Sequence, residues 1–475
     1  MNNYLPTIGM EVHCELKTNS KMFSASLNGY GENANTNINV IDLGYPGTLP
    51  KLNRMGIEFA LKAALALNCK INKEMHFDRK NYFYPDLPKG YQITQNLTPI
   101  GYDGYIEIDL DGTKKKIGIE RVHIEEDTCK SIHDQNYTYL DFNRAGVPLI
   151  EIVTKPDITN DKEACLYLTK LREILLYLGV SDVKMEEGSM RCEANVSVRK
   201  SISDPLGTKI EIKNIGSISA VGSAINYEIE RQSSLLEEGK TLKEETRRFD
   251  ELTKTTILMR TKETGNEYRY FPEPDIPFYH LTDDYIKKIK EELPLLPEQL
   301  LDIYRSKNIN ESNIKIILGN MELSSYFNKL LDTDIDLSVA SNLLTGDILG
   351  YLNKNNIKLV DVKMDEDNFK DLVTKVSKKE ISSKVCKEIL PIMLETNENI
   401  DEIIKKQGLT EITDENVLRD LINNLINQNE SVIADFKDGK DRPIKFLMGL
   451  VMKETKGKAN PPVANKILIE ELNKR

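Results

Sequence analysis

Ile8-Gly9-Met10-Glu11-Val12-His13-Cys14-Glu15-Leu16-Lys17 alternates apolar and polar side chains, the pattern of a strand buried on one face only. On that reading Met10, Val12 and Cys14 point into a core, while Glu11, His13 and Glu15 project side by side from the other face. The alternation returns in Ile117-Gly118-Ile119-Glu120-Arg121-Val122 and in Lys209-Ile210-Glu211-Ile212-Lys213-Asn214. It is fullest where Met190, Cys192, Ala194, Val196 and Val198 interleave with Arg191, Glu193, Asn195, Ser197 and Arg199. Asp103-Gly104 and Asp111-Gly112 supply turns between such runs. Two segments keep helical spacing instead: Asp161 to Leu178, with Ala164, Leu168, Leu171 and Leu175 on one face and Gly179 as a stop, and Ala220 to Glu238. Strands and helices mixed without a regular strand-helix-strand alternation predict an α+β fold.

Moving outward, the period changes after Pro294 and Pro297. Phe369, Leu372, Val373 and Val376 keep helical spacing, as do Ile381, Val385 and Ile389 before Pro391. The 475 residues exceed what one core usually supports, and roughly 150 residues per domain gives about three domains. The expectation is a mixed-sheet cradle domain over 1–293, an all-helical domain over 294–407 and a small helical tail domain over 408–475. The tail should hold helices around Asn416 to Gln428, Pro443 to Lys453 and Pro461 to Arg475, with Lys456-Gly457-Lys458-Ala459-Asn460-Pro461-Pro462 as a linker.

Composition narrows the class. Hydrophobic residues at 40% and charged residues at 29% are ordinary for a folded globular chain. No basic stretch followed by an apolar run opens the sequence, and no run approaches the ~18 apolar residues of a membrane span, so a cytoplasmic protein with no membrane partner is expected. Six scattered cysteines without a CxxC pair point to neither a disulfide framework nor a zinc ribbon. The net charge of −11 excludes a general nucleic-acid coat, yet from Phe436 to Arg475 ten Lys/Arg stand against five Asp/Glu. Such a local excess suits phosphate, or a solvated helical face.

Neither GxxxxGK[ST] nor GxGxxG occurs, which argues against a P-loop or dinucleotide fold. GxSxG is absent too, so covalent catalysis is not expected. What the first half offers is carboxylates on polar strand faces: Glu11 with His13, Glu125-Glu126-Asp127 after His123, Glu186-Glu187 before a strand, and Glu151 inside apolar Leu149-Ile150-Glu151-Ile152-Val153. An unpaired charge in the last setting would be costly, which marks Glu151 most strongly. Gathered on one concave face, several carboxylates and an imidazole would bind Mg²⁺, a hard cation that prefers oxygen. A strand face carrying Glu and His is more often merely solvent-exposed, and capping or turn formation explains Glu125-Glu126-Asp127 at least as well. Phe77 to Asp86 and Tyr268 to Asp275 mix bases with aromatics that could stack on a nucleobase or pack as turns.

Together these segments resemble the B subunit of the tRNA-dependent amidotransferases. The resemblance is carried by GMEVHCELKT from Gly9, LGYPGTLPKLN from Leu43, FDRKNYFYPDLPKGYQITQ from Phe77 and HIEEDTCKS from His123. It continues through LDFNRAGVPLIEIVTKPDI from Leu140, DVKMEEGSMRCEANVSVR from Asp182, ETRRFDE from Glu245, MRTKETGNEYRYFPEPDIP from Met259 and the C-terminal KGKANPPVANKIL. It implies ATP-dependent phosphorylation of the side-chain carboxylate of Glu-tRNA(Gln) or Asp-tRNA(Asn), then displacement of phosphate by ammonia. The ammonia would come from an amidase-type glutaminase partner, in a complex that also holds a third, small subunit; which misacylated tRNA is used stays open.

By motif, Glu11, His13, Glu126 and Glu151 resemble an Mg²⁺ cluster, with Glu126 and Glu151 catalytic. Glu187 and Glu211 as catalytic acids, and Arg191 and Lys213 as cofactor contacts, are assigned to the same pocket. Lys80 and Lys89 resemble residues lining an ammonia path, and Lys440, Arg442, Lys453, Lys456 and Lys458 are candidates for tRNA phosphate contacts. The one departure is at Ser24, Ser26, Asn39 and Asp42, where many relatives carry zinc-binding cysteines, so zinc is not expected. A non-catalytic tRNA-docking scaffold and a lone metal-dependent phosphohydrolase are the competing readings.

Overall fold

The computed structural model describes residues 3–261, 268–408, 415–429, 436, 442–455 and 459–475. The chain forms two compact units, Met1–Pro297 and Glu298–Arg475.

The first unit is built on one nine-stranded sheet. In chain order its strands are β1 (Leu5–Glu15), β2 (Lys70–Ile71), β3 (Gly101–Leu110), β4 (Thr113–Glu126), β5 (Pro148–Thr154), β6 (Met190–Arg199), β7 (Ile210–Ile215), β8 (Glu245–Asp250) and β9 (Thr255–Thr261). Across the sheet they run β9-β8-β7-β6-β1-β5-β4-β3-β2. All neighbours are antiparallel except the parallel pair β7 and β8. The sheet is therefore mixed, as the α+β expectation requires.

One face of the sheet is a core. Met10, Val12 and Cys14 of β1, Ile150 and Ile152 of β5, Ile124 of β4 and Ala194 of β6 are fully buried. They share one apolar cluster with Ile57 and Leu61 of α1 (Arg54–Ala66), Leu168 and Leu171 of α2 (Asp161–Tyr177) and Val221 and Ile225 of α3 (Ile218–Glu237). Burying each large aliphatic chain contributes about 1.5–3 kcal/mol. A one-residue slip of β1 would turn its apolar set outward, so the core fixes the register and thereby the polar face. The helix starts follow from capping: Asn160 accepts from the backbone N–H of Glu163, and Ser217 accepts from that of Ala220. Gly179, at φ +66°, ends α2 in the left-handed region, as its place after the helical run predicts.

Beside the sheet, the two aromatic and basic segments meet. The strand Asp78–Asn81 pairs with Tyr91–Thr94 on one side and Phe271–Pro272 on the other. Arg79 donates to Glu273 at 2.6 and 2.9 Å and stacks 4.1 Å from the centre of the Tyr91 ring. Ser24, Ser26, Asn39 and Asp42 also converge. Asp42 accepts from both serine hydroxyls at 2.6 Å and from the Asn39 N–H at 3.0 Å. Lys21, whose side chain has no exposed surface, reaches the same carboxylate at 3.3 Å.

The regular elements of the second unit are helices among the described residues, running from Pro297–Ser306 to Pro461–Asn473. The helix Ser383–Thr396 continues through Pro391. Leu418, Ile422, Leu447, Val451, Ile467 and Leu468 make a hydrophobic cluster of their own. The expected boundary at 408 borders residues 409–414, which lie outside the described residues. No described helix is long and apolar enough to cross a membrane.

Candidate active site

The open face of the sheet carries a cavity of about 1010 Å³. Strand order and register dictate what lines it. On β1, His13 stands opposite Glu151 of β5, which in turn stands opposite His123 of β4; on the other side His13 faces Arg191 of β6. Two positions along, Glu11 faces Glu193 of β6. Segments more than a hundred residues apart thus form one polar row, because the apolar residues between them face the helices.

Two acidic groups result. In the first, ligand atoms of His13, Glu125 and Glu151 all lie within 4.8 Å of one another; in the second, those of Glu11, Glu193 and Glu211 do. His13 Nε2 is 3.3 Å from Glu125 and 3.7 Å from Glu151, and His123 Nε2 is 2.9 Å from Glu151. Burial by itself would depress both imidazoles. The hydrogen bond and charge of Glu125 with the charges of Glu151 and Glu193 outweigh it for His13, as Glu151 and Glu125 do for His123, and each is raised to about 9. Burial works the other way on Glu125, yet the two imidazoles hold its carboxyl well below the usual range. In the second group Lys213 lies 2.7 Å from Glu193 and 3.2 Å from Glu211, Thr246 donates to Glu211 at 2.8 Å and Asn195 donates to Glu11 at 2.8 Å. Positive charge rims the cavity at Lys80, Lys209 and Arg260, beside Tyr268 and Tyr270.

The structure brings Glu11, His13, Glu151, Glu211, Lys213 and Lys80 to this cavity, and it redirects the rest. Glu126 does not join His13 and Glu151. Alternation along β4 sends His123 and Glu125 to the open face and Glu126 to the other, where it pairs with Lys89 and accepts from the N–H of Ile93 at 3.0 Å. Glu125 takes the place expected of Glu126. Lys89, held by that pair, is not among the cavity-lining residues, whereas Lys80 lines the cavity with its ammonium 4.9 Å from the Tyr268 ring. Glu187 is also displaced: it sits in the turn before β6, paired with Lys184 at 2.8 Å and away from the cavity. Arg191 is on the open face but turns to Asp127 at 2.8 Å and does not line the cavity. Glu193, Lys209 and Arg260 are not singled out by the sequence, and within Glu125-Glu126-Asp127 the motif points to Glu126; parity with His123 along one strand is the signal that separates Glu125 from Glu126. Of the tail candidates, Lys453 is exposed in the last turn of the helix Arg442–Glu454. Lys440, Lys456, Lys458 and the side chain of Arg442 lie outside the described residues.

A mixed sheet with a helix-covered face and an open face bearing two carboxylate groups and a cationic rim has the make-up of a catalytic domain. The family model described as the GatB/GatE catalytic domain matches residues 6–287, and a second, described as the GatB domain, matches residues 325–472. The chain belongs to the GatB family. It is 47% identical to the B subunit of the aspartyl/glutamyl-tRNA(Asn/Gln) amidotransferase of Geobacillus thermodenitrificans over 475 residues, covering 100% of both chains. The corresponding B subunits of Enterococcus faecalis, at 47%, and Halalkalibacterium halodurans, at 48%, match over the same full length.

Proposed function

We propose that this chain is the transferring subunit of a tRNA-dependent amidotransferase, converting Glu-tRNA(Gln), Asp-tRNA(Asn) or both into the amide with ATP and ammonia. The observation that carries this reading is the pair of carboxylate groups in one cavity on the open sheet face. A carboxylate resists amidation because it has no leaving group. Phosphoryl transfer from ATP to one of its oxygens releases ADP and creates one. The nitrogen lone pair of ammonia then forms the C–N bond, phosphate departs with the C–O electrons, and a proton is shed.

The donor set fits a hard divalent cation, since oxygens dominate and only one imidazole joins them. His13, Glu125 and Glu151 would hold magnesium, with Glu11, Glu193 and Glu211 as a second set. Magnesium bound there would offset charge on the phosphoryl oxygens. Lys80 remains an ammonium beside this group: burial would lower it, but the charges of Glu125 and Glu151, with the nearby tyrosines, keep it raised. It can therefore attract the anionic aminoacyl side chain, while Lys209, Lys213 and Arg260 offer charge for phosphates. We read Lys80 and the Lys89–Glu126 pair as polar lining for ammonia delivered by an amidase-type glutaminase partner, in a complex that also holds a third, small subunit. The domain at 408–475, with Lys440, Arg442, Lys453, Lys456 and Lys458, would bind tRNA phosphates, and the rest of the chain would divide into a cradle over 1–293 and a helical domain over 294–407. A cytoplasmic location accords with that substrate. Zinc does not fit Ser24, Ser26, Asn39 and Asp42: no thiolate is present, and the one carboxylate is engaged by the Lys21 ammonium.

Glu151→Gln in the assembled enzyme tests the reading. ATP- and Glu-tRNA(Gln)-dependent phosphate release should fall by about 100-fold or more, the scale of losing a metal-held charge, while tRNA affinity stays. Unchanged turnover would instead favour a tRNA-docking scaffold.

A further inference from the structure

His123 shares the first acidic group without being one of its three clustered ligand residues. It is enclosed, with 6% of its side chain exposed, whereas His13 is 20% exposed. Its two nitrogens have opposite surroundings. Nε2 is 2.9 Å from Glu151 Oε2 and 3.8 Å from Glu125 Oε2. Nδ1 is buried with no hydrogen-bond partner among the described residues. A polar atom left alone in a packed interior calls for a reason. A proton on Nε2, aimed at the carboxylates, supplies one, because the ring is then oriented entirely by Glu151 and Glu125. The backbone enforces the same placement: β4 and β5 pair His123 directly with Glu151, while β1 brings His13 to Glu151 from the opposite side.

Glu151 is thus held between two imidazoles on flanking strands, one more open to the cavity and one enclosed. A carboxylate facing a cation needs its second side fixed, or its ligating oxygen is free to rotate away. We propose that His123 is a positioning residue: its Nε2–H pins Glu151, and more weakly Glu125, so that their remaining oxygens are presented to the divalent cation. This rests on the reading of His13, Glu125 and Glu151 as a cation site.

The test uses Mn²⁺ as the probe on the assembled enzyme, with affinity followed by electron paramagnetic resonance and compared with the Mg²⁺ dependence of phosphate release. Glu151→Gln first identifies the Mn²⁺ site belonging to this group; if no site is lost, the cation reading itself fails. At that site His123→Phe, which keeps the ring and removes the N–H, should weaken Mn²⁺ by about 10–100-fold, the usual scale for losing an outer hydrogen bond to a metal ligand. The Mg²⁺ needed for half-maximal phosphate release should rise by the same factor, with turnover recovering at saturating Mg²⁺ and KM for tRNA unchanged. His123→Gln, whose amide nitrogen reaches about as far as Nε2, should restore most of the affinity, and the shorter His123→Asn should not. Wild-type Mn²⁺ affinity in His123→Phe overturns the proposal while leaving the cation reading intact. If the Phe variant does not fold, the amide pair decides, and equal affinities of Gln and Asn overturn it.

Discussion

At the scale of single residues, one step along a strand separates two adjacent glutamates. Glu125 lies with His13 and Glu151, and Glu126 lies with Lys89 on the opposite face. Their isosteric substitutions should therefore behave differently. Glu125→Gln is expected to lower Mn²⁺ affinity at least about tenfold, as removal of a charged ligand should, whereas Glu126→Gln leaves it at the wild-type value; titration of both variants distinguishes them. Lys21 is the other informative residue. Its ammonium is enclosed beside Asp42, and burial lowers its pKa despite that partner. Removing one member of a buried pair strands the other charge, at a cost of about 3–5 kcal/mol. Lys21→Met should lose stability on that scale by urea unfolding, and the double variant Lys21→Met with Asp42→Asn should recover part of it.

At the scale of elements, the sheet is specified by its buried side and used on its open side. The sequence shows this in β1 and β6, where every second residue is apolar. It shows α2 equally well, through the helical spacing and Gly179. The start of α2 adds a pH-dependent contact. Glu163 accepts from Thr159 N at 2.8 Å and pairs with Lys115 at 2.7 Å. Burial would raise its carboxyl, but Lys115 and Thr159 outweigh burial and hold it below its ordinary 4.5. A carboxylate depressed on folding adds stability above the unfolded value and loses it as pH falls through the folded one. Glu163→Gln should thus be less stable than wild type by about 1–2 kcal/mol at pH 7, with the gap closing as pH drops below 4.5. Urea midpoints measured at pH 7, 5 and 4 would check the sign; a gap that widens on acidification would contradict it.

At the scale of the whole molecule, an acidic chain carries a basic C-terminal end, and each compact unit has its own apolar core. Chemistry and tRNA affinity should then separate under mutation. Neutralising Lys440, Arg442, Lys453, Lys456 and Lys458 to Gln is expected to weaken tRNA binding and flatten its dependence on log salt by about 0.7–0.9 per lost phosphate contact. Turnover at saturating tRNA should stay near wild type. Filter binding across a salt series would measure this, and an unaltered slope would remove these side chains from the interface.

Local pattern by itself determined the class of fold, the extent of α2 and α3, the change to helices after the first unit, the polar faces on which Glu11, His13, Glu211 and Lys213 stand, and Glu151 as the one acid in an apolar strand. These are readable because burial imposes a period on neighbouring residues. Tertiary structure alone decided which polar faces meet, and so that Glu125 joins His13 and Glu151. It also gave Glu193 to Glu11 and Glu211, Glu187 to Lys184, and Arg191 to Asp127. The physical reason is that strand order and register are set by the apolar face packing on the helices. The clustered carboxylates lie on the opposite face, and their encounters follow from a core in which they take no part.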